Sequence, residues 1–202
     1  MARFFDDFTT YTNGSTFTNN GTWQQRITTS SQTNSFQTVS GAQHGRTMRI
    51  VGATTSGSRV LSYNPAGTAA NADILVQFQS GTANSTTGGR YGIAYARYSG
   101  TTEATTKGYV VYSGTFASAR RIGIVEDSTG ATIASANYNV NANTWYWVRL
   151  QATGTTIRAK IWTGAATDEP AGWTVSGTNS TSTYQPPNEP TQPLYYLSPH
   201  CQ

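Results

Sequence analysis

A stretch of 18 residues, numbers 145–162, constrains the fold of this sequence more than any other feature. On each side of Gly154, apolar residues alternate with polar or aromatic ones, as in the series Tyr146, Val148 and Leu150. A period of two places alternate side chains on opposite faces of a strand, so one face is predicted to be buried. Gly154 predicts a tight turn, because glycine readily adopts a positive φ. The stretch therefore predicts a β-hairpin, and since a lone hairpin is marginal in water, it must belong to a larger sheet.

Shorter strand-like segments recur along the chain at intervals of roughly 10–15 residues, separated by turn residues and without a helical period. The clearest is Ala72 to Gln79, where Ile74, Val76 and Phe78 share one face. This pattern predicts an all-β protein, most simply a two-sheet antiparallel sandwich. The other predicted strands are residues 4–8, 23–29, 36–39, 46–51, 59–63, 90–98, 108–112, 121–126 and 132–137.

Particular residues around the hairpin suggest which family of β-sandwich domains the chain resembles. The hairpin begins W-x-x-V-R-L at Trp145 and is followed by Glu169-Pro170-x-x-Trp173, and near the start of the chain Asp6-Asp7-Phe8 precedes Trp23. These features resemble concanavalin A-like, laminin-G-like jelly rolls, a subset of which close this hairpin with E-P-x-x-W. Many of that subset are bacterial extracellular or phage proteins. The resemblance covers residues 4–176 and implies a jelly roll, but this scaffold hosts lectins, enzymes and structural modules alike.

The end of the chain differs in composition from the rest. Five of the seven prolines lie between Pro186 and Pro199. Because proline lacks a backbone N–H, this segment is not expected to form a central strand. We therefore predict a jelly-roll domain at residues 1–176 and an extended proline-rich C-terminal arm at residues 177–202. The arm either wraps back on its own domain or docks on a neighbouring subunit, and its predicted assembly contacts are Leu194, Tyr195, Tyr196 and Leu197.

Charge and hydrophobicity exclude two classes of partner. Only 11% of the 202 residues are charged, well below the usual quarter, and the net charge is +4. The cations are scattered, with Arg120-Arg121 the only adjacent pair, although Arg149, Arg158 and Lys160 share the polar face of the hairpin. Nucleic-acid binding requires a concentrated cationic stripe, so it is not expected. No run is apolar enough to span a membrane.

The first residues and the cysteine content suggest a compartment. Residues 1–7 contain Asp6 and Asp7 and lack the apolar core of a secretory signal. Cys201 is the single cysteine, so no intrachain disulfide is possible. We therefore expect a protein made in a host cytoplasm without a cleaved signal and located in a virion, because virions leave the cell by lysis.

The sequence lacks the carboxylate pattern of the hydrolases on this fold. Glycoside hydrolysis needs two carboxylates across a groove, commonly arranged there as E-x-D-x-x-E on one strand. Here Glu126-Asp127 are adjacent and are predicted to point to opposite faces, while Asp168-Glu169 falls in a predicted loop. No catalytic residues are therefore predicted, and we expect a non-enzymatic protein.

Aromatic side chains on strands provide the candidate ligand site. Sugars stack on exposed aromatic rings, with amides or arginine binding their hydroxyl groups. Residues on strands that could line one sheet face are predicted to bind ligand: Tyr91, Tyr95, Arg97, Tyr109, Tyr112 and Trp147. For each of them, a place in the core is the competing interpretation.

No cofactor is predicted, and no metal site is assigned, with calcium as the open option. Several relatives of the fold that this sequence resembles bind Ca²⁺ through loop carboxylates. The candidate ligands here are Asp6, Asp7, Asp127 and Asp168, which form no ligand-spaced motif. A zinc site is not expected, because His200-Cys201 has no second His or Cys pair.

Together these observations predict a non-enzymatic bacteriophage virion structural protein of the tail fibre, tail tip or head surface. We expect it to form homo-oligomers or to bind other virion proteins, and to touch cell-surface glycans. Two alternatives remain. One is a free carbohydrate-binding module, and the other is a polysaccharide hydrolase or lyase that uses Glu126 or Glu169.

Overall fold

The structure is a computed structural model that describes residues 12, 14, 23–28, 33–38, 46–51, 59–63, 71–80, 90–99, 107–116, 119–180 and 192–195. Side chains are described for residues 12, 14, 71–80, 92–97, 107–114 and 119–180. The regular secondary structure of these residues is β-strand, apart from one short 3-10 turn at Ala166–Asp168. In the residues described here, no helix has the length and apolar character needed to cross a membrane.

Thirteen strands are present in the described residues. They are β1 (Trp23–Thr28), β2 (Thr33–Thr38), β3 (Arg46–Val51), β4 (Arg59–Tyr63), β5 (Ala72–Gln79), β6 (Arg90–Ser99), β7 (Lys107–Phe116), β8 (Ala119–Glu126), β9 (Thr132–Asn137), β10 (Trp145–Thr153), β11 (Thr156–Trp162), β12 (Val175–Thr178) and β13 (Gln192–Tyr195).

The strands form a larger and a smaller sheet, and the expected all-β sandwich is confirmed. The larger sheet has the order β1-β4-β13-β6-β7-β8-β9 and the smaller one β12-β11-β10-β5, while β2 and β3 form a separate pair. All of these pairings are antiparallel. Both sheets contribute to one buried core, in which each large aliphatic side chain contributes about 1.5–3 kcal/mol. The core includes Ile74, Val76, Phe78, Ile93, Val111, Ile122, Ile124, Tyr146, Val148, Leu150, Ile157 and Ile161.

The predicted hairpin is confirmed as β10 and β11. Their ladder runs to Thr153 opposite Thr156, so the loop between them has two residues. Gly154 is the first of these and has a φ of 54°. A positive φ at this position is what a type II′ turn requires, and glycine adopts it without steric cost.

Most strands in the middle of the chain match the predictions, and a few differ in length. The bounds of β3, β4, β5 and β9 are those expected from the sequence. β7 continues beyond the predicted residues 108–112 to Phe116, because its backbone stays paired with β8 through small and polar residues. The predicted strand at residues 4–8 lies outside the described residues.

The C-terminal segment corrects one expectation. Residues 192–195 form β13, a strand inside the larger sheet between β4 and β6. The prediction that the proline-rich segment forms no central strand was therefore wrong here. The reason is local: the register of β13 against β6 shifts between Gln192 and Leu194, so Pro193 falls at the irregular position, where its missing N–H is tolerated. The backbone of Leu194 and Tyr195 lies in β13, whereas Tyr196 and Leu197 lie outside the described residues.

The boundary predicted after residue 176 falls inside β12, and the sandwich continues past it. Val175 is buried, and Gly177 pairs with Ile157 of β11. A Cβ placed on Gly177 would lie 2.6 Å from Ile133 Cγ2 and 2.9 Å from the Ile133 carbonyl oxygen on β9 of the other sheet. The small polar run after Trp173 therefore forms the strand at which the two sheets approach closely, and a larger residue does not fit there.

We predict that Gly177→Ala lowers the free energy of unfolding by about 1–3 kcal/mol, because the added methyl group overlaps Ile133 and the sheets must move apart. Urea denaturation measures the change. Gly172→Ala is the matched control, since a Cβ there meets nothing within 4 Å. Equal stability of the two variants would contradict the close approach.

Candidate functional site

The outer face of the smaller sheet holds a dense set of charged side chains. Because side chains alternate along β10 and β11, Arg149 and Lys160 point away from the core and lie opposite each other in the ladder. Arg149 Nη1 lies 2.8 Å from Asp73 Oδ1, and its Nη2 donates to Glu169 Oε2 at 2.8 Å. Lys160 Nζ lies 2.9 Å from Glu169 Oε1. Arg149 and Lys160 are therefore both paired with carboxylates.

The E-P-x-x-W residues attach the loop after β11 to this face. Glu169 binds both cations, and the carbonyl oxygen of Pro170 accepts a hydrogen bond from Lys160 Nζ at 2.7 Å. The ring of Trp173 lies against Arg158 Cζ at 4.4 Å and Lys160 Nζ at 4.6 Å, distances typical of cation–π contacts. We call this arrangement the outer-face clamp. Its members are Asp73, Arg149, Gln151, Arg158, Lys160, Glu169, Pro170 and Trp173.

The clamp keeps Glu169 ionised. Burial alone would raise the pKa of this carboxyl, but hydrogen bonds from Arg149 and Lys160 and their charges outweigh burial and hold the pKa below its usual range. Burial likewise opposes the charge of Arg149, yet its bonds to Glu169 and Asp73 raise the Arg149 pKa. A general acid needs a raised pKa, so this environment suits an ion pair and not proton donation.

Trp147, one of the predicted ligand residues, lies buried beneath the same loop. It pairs across the ladder with Trp162, with ring centroids 6.4 Å apart and planes at 20°. The indole of Trp147 donates to the Gly164 carbonyl at 3.2 Å, and that of Trp162 donates to the Ala165 carbonyl at 3.0 Å. Only 8% of Trp147 is exposed. Trp147 therefore helps to attach this loop to the sheet.

Arg97 and Tyr109 lie between the two sheets, at the end of the sandwich near the β10–β11 turn. Arg97 Nη2 donates to the Gly154 carbonyl at 2.7 Å, and its Cζ lies 5.8 Å from the Tyr109 ring centroid. Tyr109 is fully buried, and burial raises its pKa although Arg97 acts in the opposite direction. Glu126 pairs with Tyr109 in the β7–β8 ladder and accepts from Asn179 Nδ2 at 2.9 Å. We call Arg97, Tyr109, Glu126 and Asn179 the end cluster.

A third set of predicted residues lies on the outer face of the larger sheet. The hydroxyl of Tyr95 donates to Asp127 Oδ1 at 3.1 Å, and that of Tyr112 lies 3.4 Å from the same oxygen. Tyr95 is buried and Tyr112 is half-buried. Asp127 and its neighbour Glu126 therefore point to opposite faces, as the sequence predicts for adjacent carboxylates on a strand.

The structure thus divides the predicted ligand residues among three places and does not align them on one face. Arg97 leaves the expected face because the register of β6 shifts between Ala96 and Ser99, and Arg97 itself has a φ of 55°. The alternation that the prediction assumed ends at this bulge. The side chain of Tyr91 lies outside the described residues. The binding role of all six remains a prediction.

The metal prediction is likewise untested. In the parts of the chain that the structure describes, no three His, Cys, Asp or Glu side chains form a group that could hold a metal ion. Of the calcium candidates, Asp127 accepts from tyrosine, and Asp168 Oδ2 accepts from the Ala165 N–H at 2.8 Å. Asp6, Asp7, His44, His200 and Cys201 lie outside the described residues.

Sequence reasoning missed three residues that hold these sites together. Asp73 binds Arg149 across 76 positions of sequence, Asn179 binds Glu126, and Asn71 Oδ1 accepts from the Gly154 N–H at 3.0 Å. Asp73 had a usable signal, since the alternation along its strand places it on the same face as Gln77 and Gln79. The two asparagines lie at the ends of strands, where alternation gives no information.

No family model matches the sequence, and a search of curated proteins finds no match. The likeness to concanavalin A-like jelly rolls therefore rests on the residues quoted above.

We predict that Glu169→Gln lowers the free energy of unfolding at pH 7 by about 1–2 kcal/mol, allowing for the partial exposure of this side chain. The depressed pKa makes the contribution of Glu169 fully present above its unfolded value of about 4.3. That contribution is lost as the pH falls through the lower folded value, so the two proteins should converge in acid. Denaturation midpoints measured from pH 7 to acid test this.

Asp168→Asn is the control for the Glu169 experiment, because it removes the same charge from the neighbouring residue, for which no ion pair is found within the described residues. At pH 7 it should lower the stability less than Glu169→Gln does, because it breaks no ion pair of the outer-face clamp. A Glu169→Gln difference that persists unchanged in acid would show that the ion pairs are not its cause.

We predict that Arg97→Met lowers the free energy of unfolding by about 1.5–3 kcal/mol, because the charged donor to the Gly154 carbonyl is lost from a buried position. Arg120→Met on the exposed face of β8 should change it by less than about 0.5 kcal/mol. Thermal unfolding compares the two. Similar effects would mean that the end cluster does not join the sheets.

Proposed function

We propose that this chain is a non-enzymatic structural protein of a bacteriophage virion, in a tail fibre, a tail tip or the head surface, with a concanavalin A-like jelly roll. Its sandwich, the β10–β11 hairpin and the loop attached by Glu169 and Trp173 support the fold part of the proposal. The extended proline-rich arm predicted at residues 177–202 remains part of the proposal, except where the chain forms β12 and β13.

The contacts of the carboxylates support the non-enzymatic part of the proposal. Glu169 is bound by two cations, Glu126 faces Asn179 between the sheets, and Asp127 faces tyrosines on the opposite side. Their contacts orient them toward structural partners in three separate places. A glycosidase pair must instead flank one groove, with one carboxyl protonated near neutral pH.

The virion part is supported by surface chemistry. Charged residues make up only 11% of the chain, and threonine, serine, asparagine and glycine supply much of its polarity. A surface of this kind suits repeated contacts between copies, since few charges must be desolvated at each contact. The corresponding partners are further copies of this chain or other virion proteins.

Antibody labelling of purified particles in the electron microscope tests this proposal. We expect label at the tail or on the head surface, and an oligomer in analytical ultracentrifugation. A protein that stays monomeric at high concentration and is missing from particles would overturn the proposal.

A free carbohydrate-binding module is the second candidate, favoured by one local observation. Trp145 is half-exposed on the outer face of β10 and lies opposite Gln79 on β5, whose amide donates to the Asn143 carbonyl at 3.1 Å. An indole beside a fixed amide is suited to a sugar ring and its hydroxyl groups. Trp145 therefore joins the ligand residues predicted from the sequence.

A glycan array, run with calcium and again with chelator, tests this second candidate. Binding by a monomer that Trp145→Ala abolishes and Trp173→Ala retains would support it, and loss with chelator would indicate a metal in the site. Absence of binding would favour the purely structural role. Turnover on a polysaccharide panel that Glu126→Gln or Glu169→Gln removes would instead indicate a hydrolase or lyase.

A further inference from the structure

We propose that β13 is an exchangeable strand, and that the slot between β4 and β6 accepts β13 from a second copy of this chain. This deepens the structural role proposed above by naming the partner and the contact. It rests on that role in one respect, namely that copies meet at high local concentration.

The slot needs an occupant. β4 and β6 are both hydrogen-bonded to β13 and not to each other, so without β13 the larger sheet is interrupted between them. Leu194 lies opposite Ser62 of β4, and Tyr195 lies opposite Ala94 of β6, a fully buried residue. An empty slot would leave backbone donors and acceptors unpaired along two strands, which is costly and favours pairing with any matching strand.

β13 has a shorter ladder than β10, the strand in the middle of the smaller sheet. It spans four residues, compared with nine in β10. Its register against β6 is broken at Pro193, which has no N–H to contribute to the ladder. Segments with few ladder bonds open at a lower free energy than strands with long ladders. β13 is therefore suited to leave its slot while the rest of the sandwich stays folded.

The connection to β13 favours exchange between copies. Residues 181–191 include Pro186, Pro187 and Pro190, a composition typical of extended, semi-rigid spacers. The contacts in the slot are the same whichever copy supplies β13, so the spacer and the local concentration decide the outcome. Copies held side by side in an assembly favour exchange.

Directed disulfide formation tests the proposal on the full-length chain. Two variants are prepared, one with Ser62→Cys and one with Leu194→Cys, each also carrying Cys201→Ser. Residues directly opposite in antiparallel strands have Cα atoms about 4.5–5.5 Å apart, within the range of a disulfide. The variants are unfolded, mixed at high concentration, refolded and oxidised. We expect a covalent heterodimer, because the thiol introduced on β4 of one chain meets the thiol introduced on β13 of the other only after exchange.

Two controls make the result decisive. In the first control, a variant with Ser128→Cys takes the place of the variant with Ser62→Cys, so that the thiol lies in an exposed turn. This control measures the disulfide that forms by random collision, and the heterodimer of the test pair must exceed it several-fold. In the second control, one chain carries both Ser62→Cys and Leu194→Cys. An intrachain disulfide in this chain shows that β13 occupies the slot of its own sandwich. The pair Leu61→Cys and Tyr195→Cys repeats the test at the adjacent position. Neighbouring positions in an antiparallel ladder alternate between hydrogen-bonded and non-hydrogen-bonded pairs, so the two tests cover both geometries.

Each outcome has one meaning. Heterodimer above the collision control supports exchange. An intrachain disulfide in the doubly substituted chain without heterodimer shows that β13 stays with its own sandwich and overturns the proposal. No disulfide at either position overturns it as well, because the pairing would be absent. Exchange in a chain missing from virions would refute only the proposed function, whereas a chain found in virions without exchange would assemble through another surface.

Discussion

The backbone pairing of β10 on both sides is the constraint on which the rest of the structure depends. Because β5 and β11 bind its two edges, its side chains can point only to the core or to the outer face. Val148 and Leu150 fill the core, and Arg149 is thereby placed on the outer face. The Arg149 side chain is only 25% exposed, so its guanidinium loses hydration and requires carboxylate partners. Asp73 and Glu169 of the outer-face clamp are these partners, and because Glu169 lies in the loop after β11, its contacts fix the path of that loop.

The clamp defines geometry more than it adds stability. Partly buried ion pairs recover most of what desolvation costs and little more, but removing one partner leaves a charge uncompensated. The position of Glu169 is therefore tightly determined by two cations, and that of Trp173 by Arg158 and Lys160. The same reasoning explains why Glu169 suits a structural role: its two cations favour its charged form and hold the side chain still.

Alternation along the chain predicted the features that depend on a single strand. It did not predict the contacts between strands that are distant in sequence. The β10–β11 hairpin, its Gly154 turn and the opposite directions of Glu126 and Asp127 follow from a period of two. Arg97 did not, because a bulge with a positive φ reverses its direction. β12 and β13 were missed because their residues suit close approach at Gly177 and a register shift at Pro193, which local propensity does not encode. The Asp73–Arg149 pair joins distant positions that only the sheet order brings together.

The stacked indoles of Trp147 and Trp162 have an optical consequence. Two such chromophores, nearly parallel at 6.4 Å, share their excited states, and the resulting circular dichroism depends on their mutual orientation. Each indole is also hydrogen-bonded to a carbonyl of the loop after β11. The protein therefore contains an intrinsic chiroptical reporter for that loop, readable without a label.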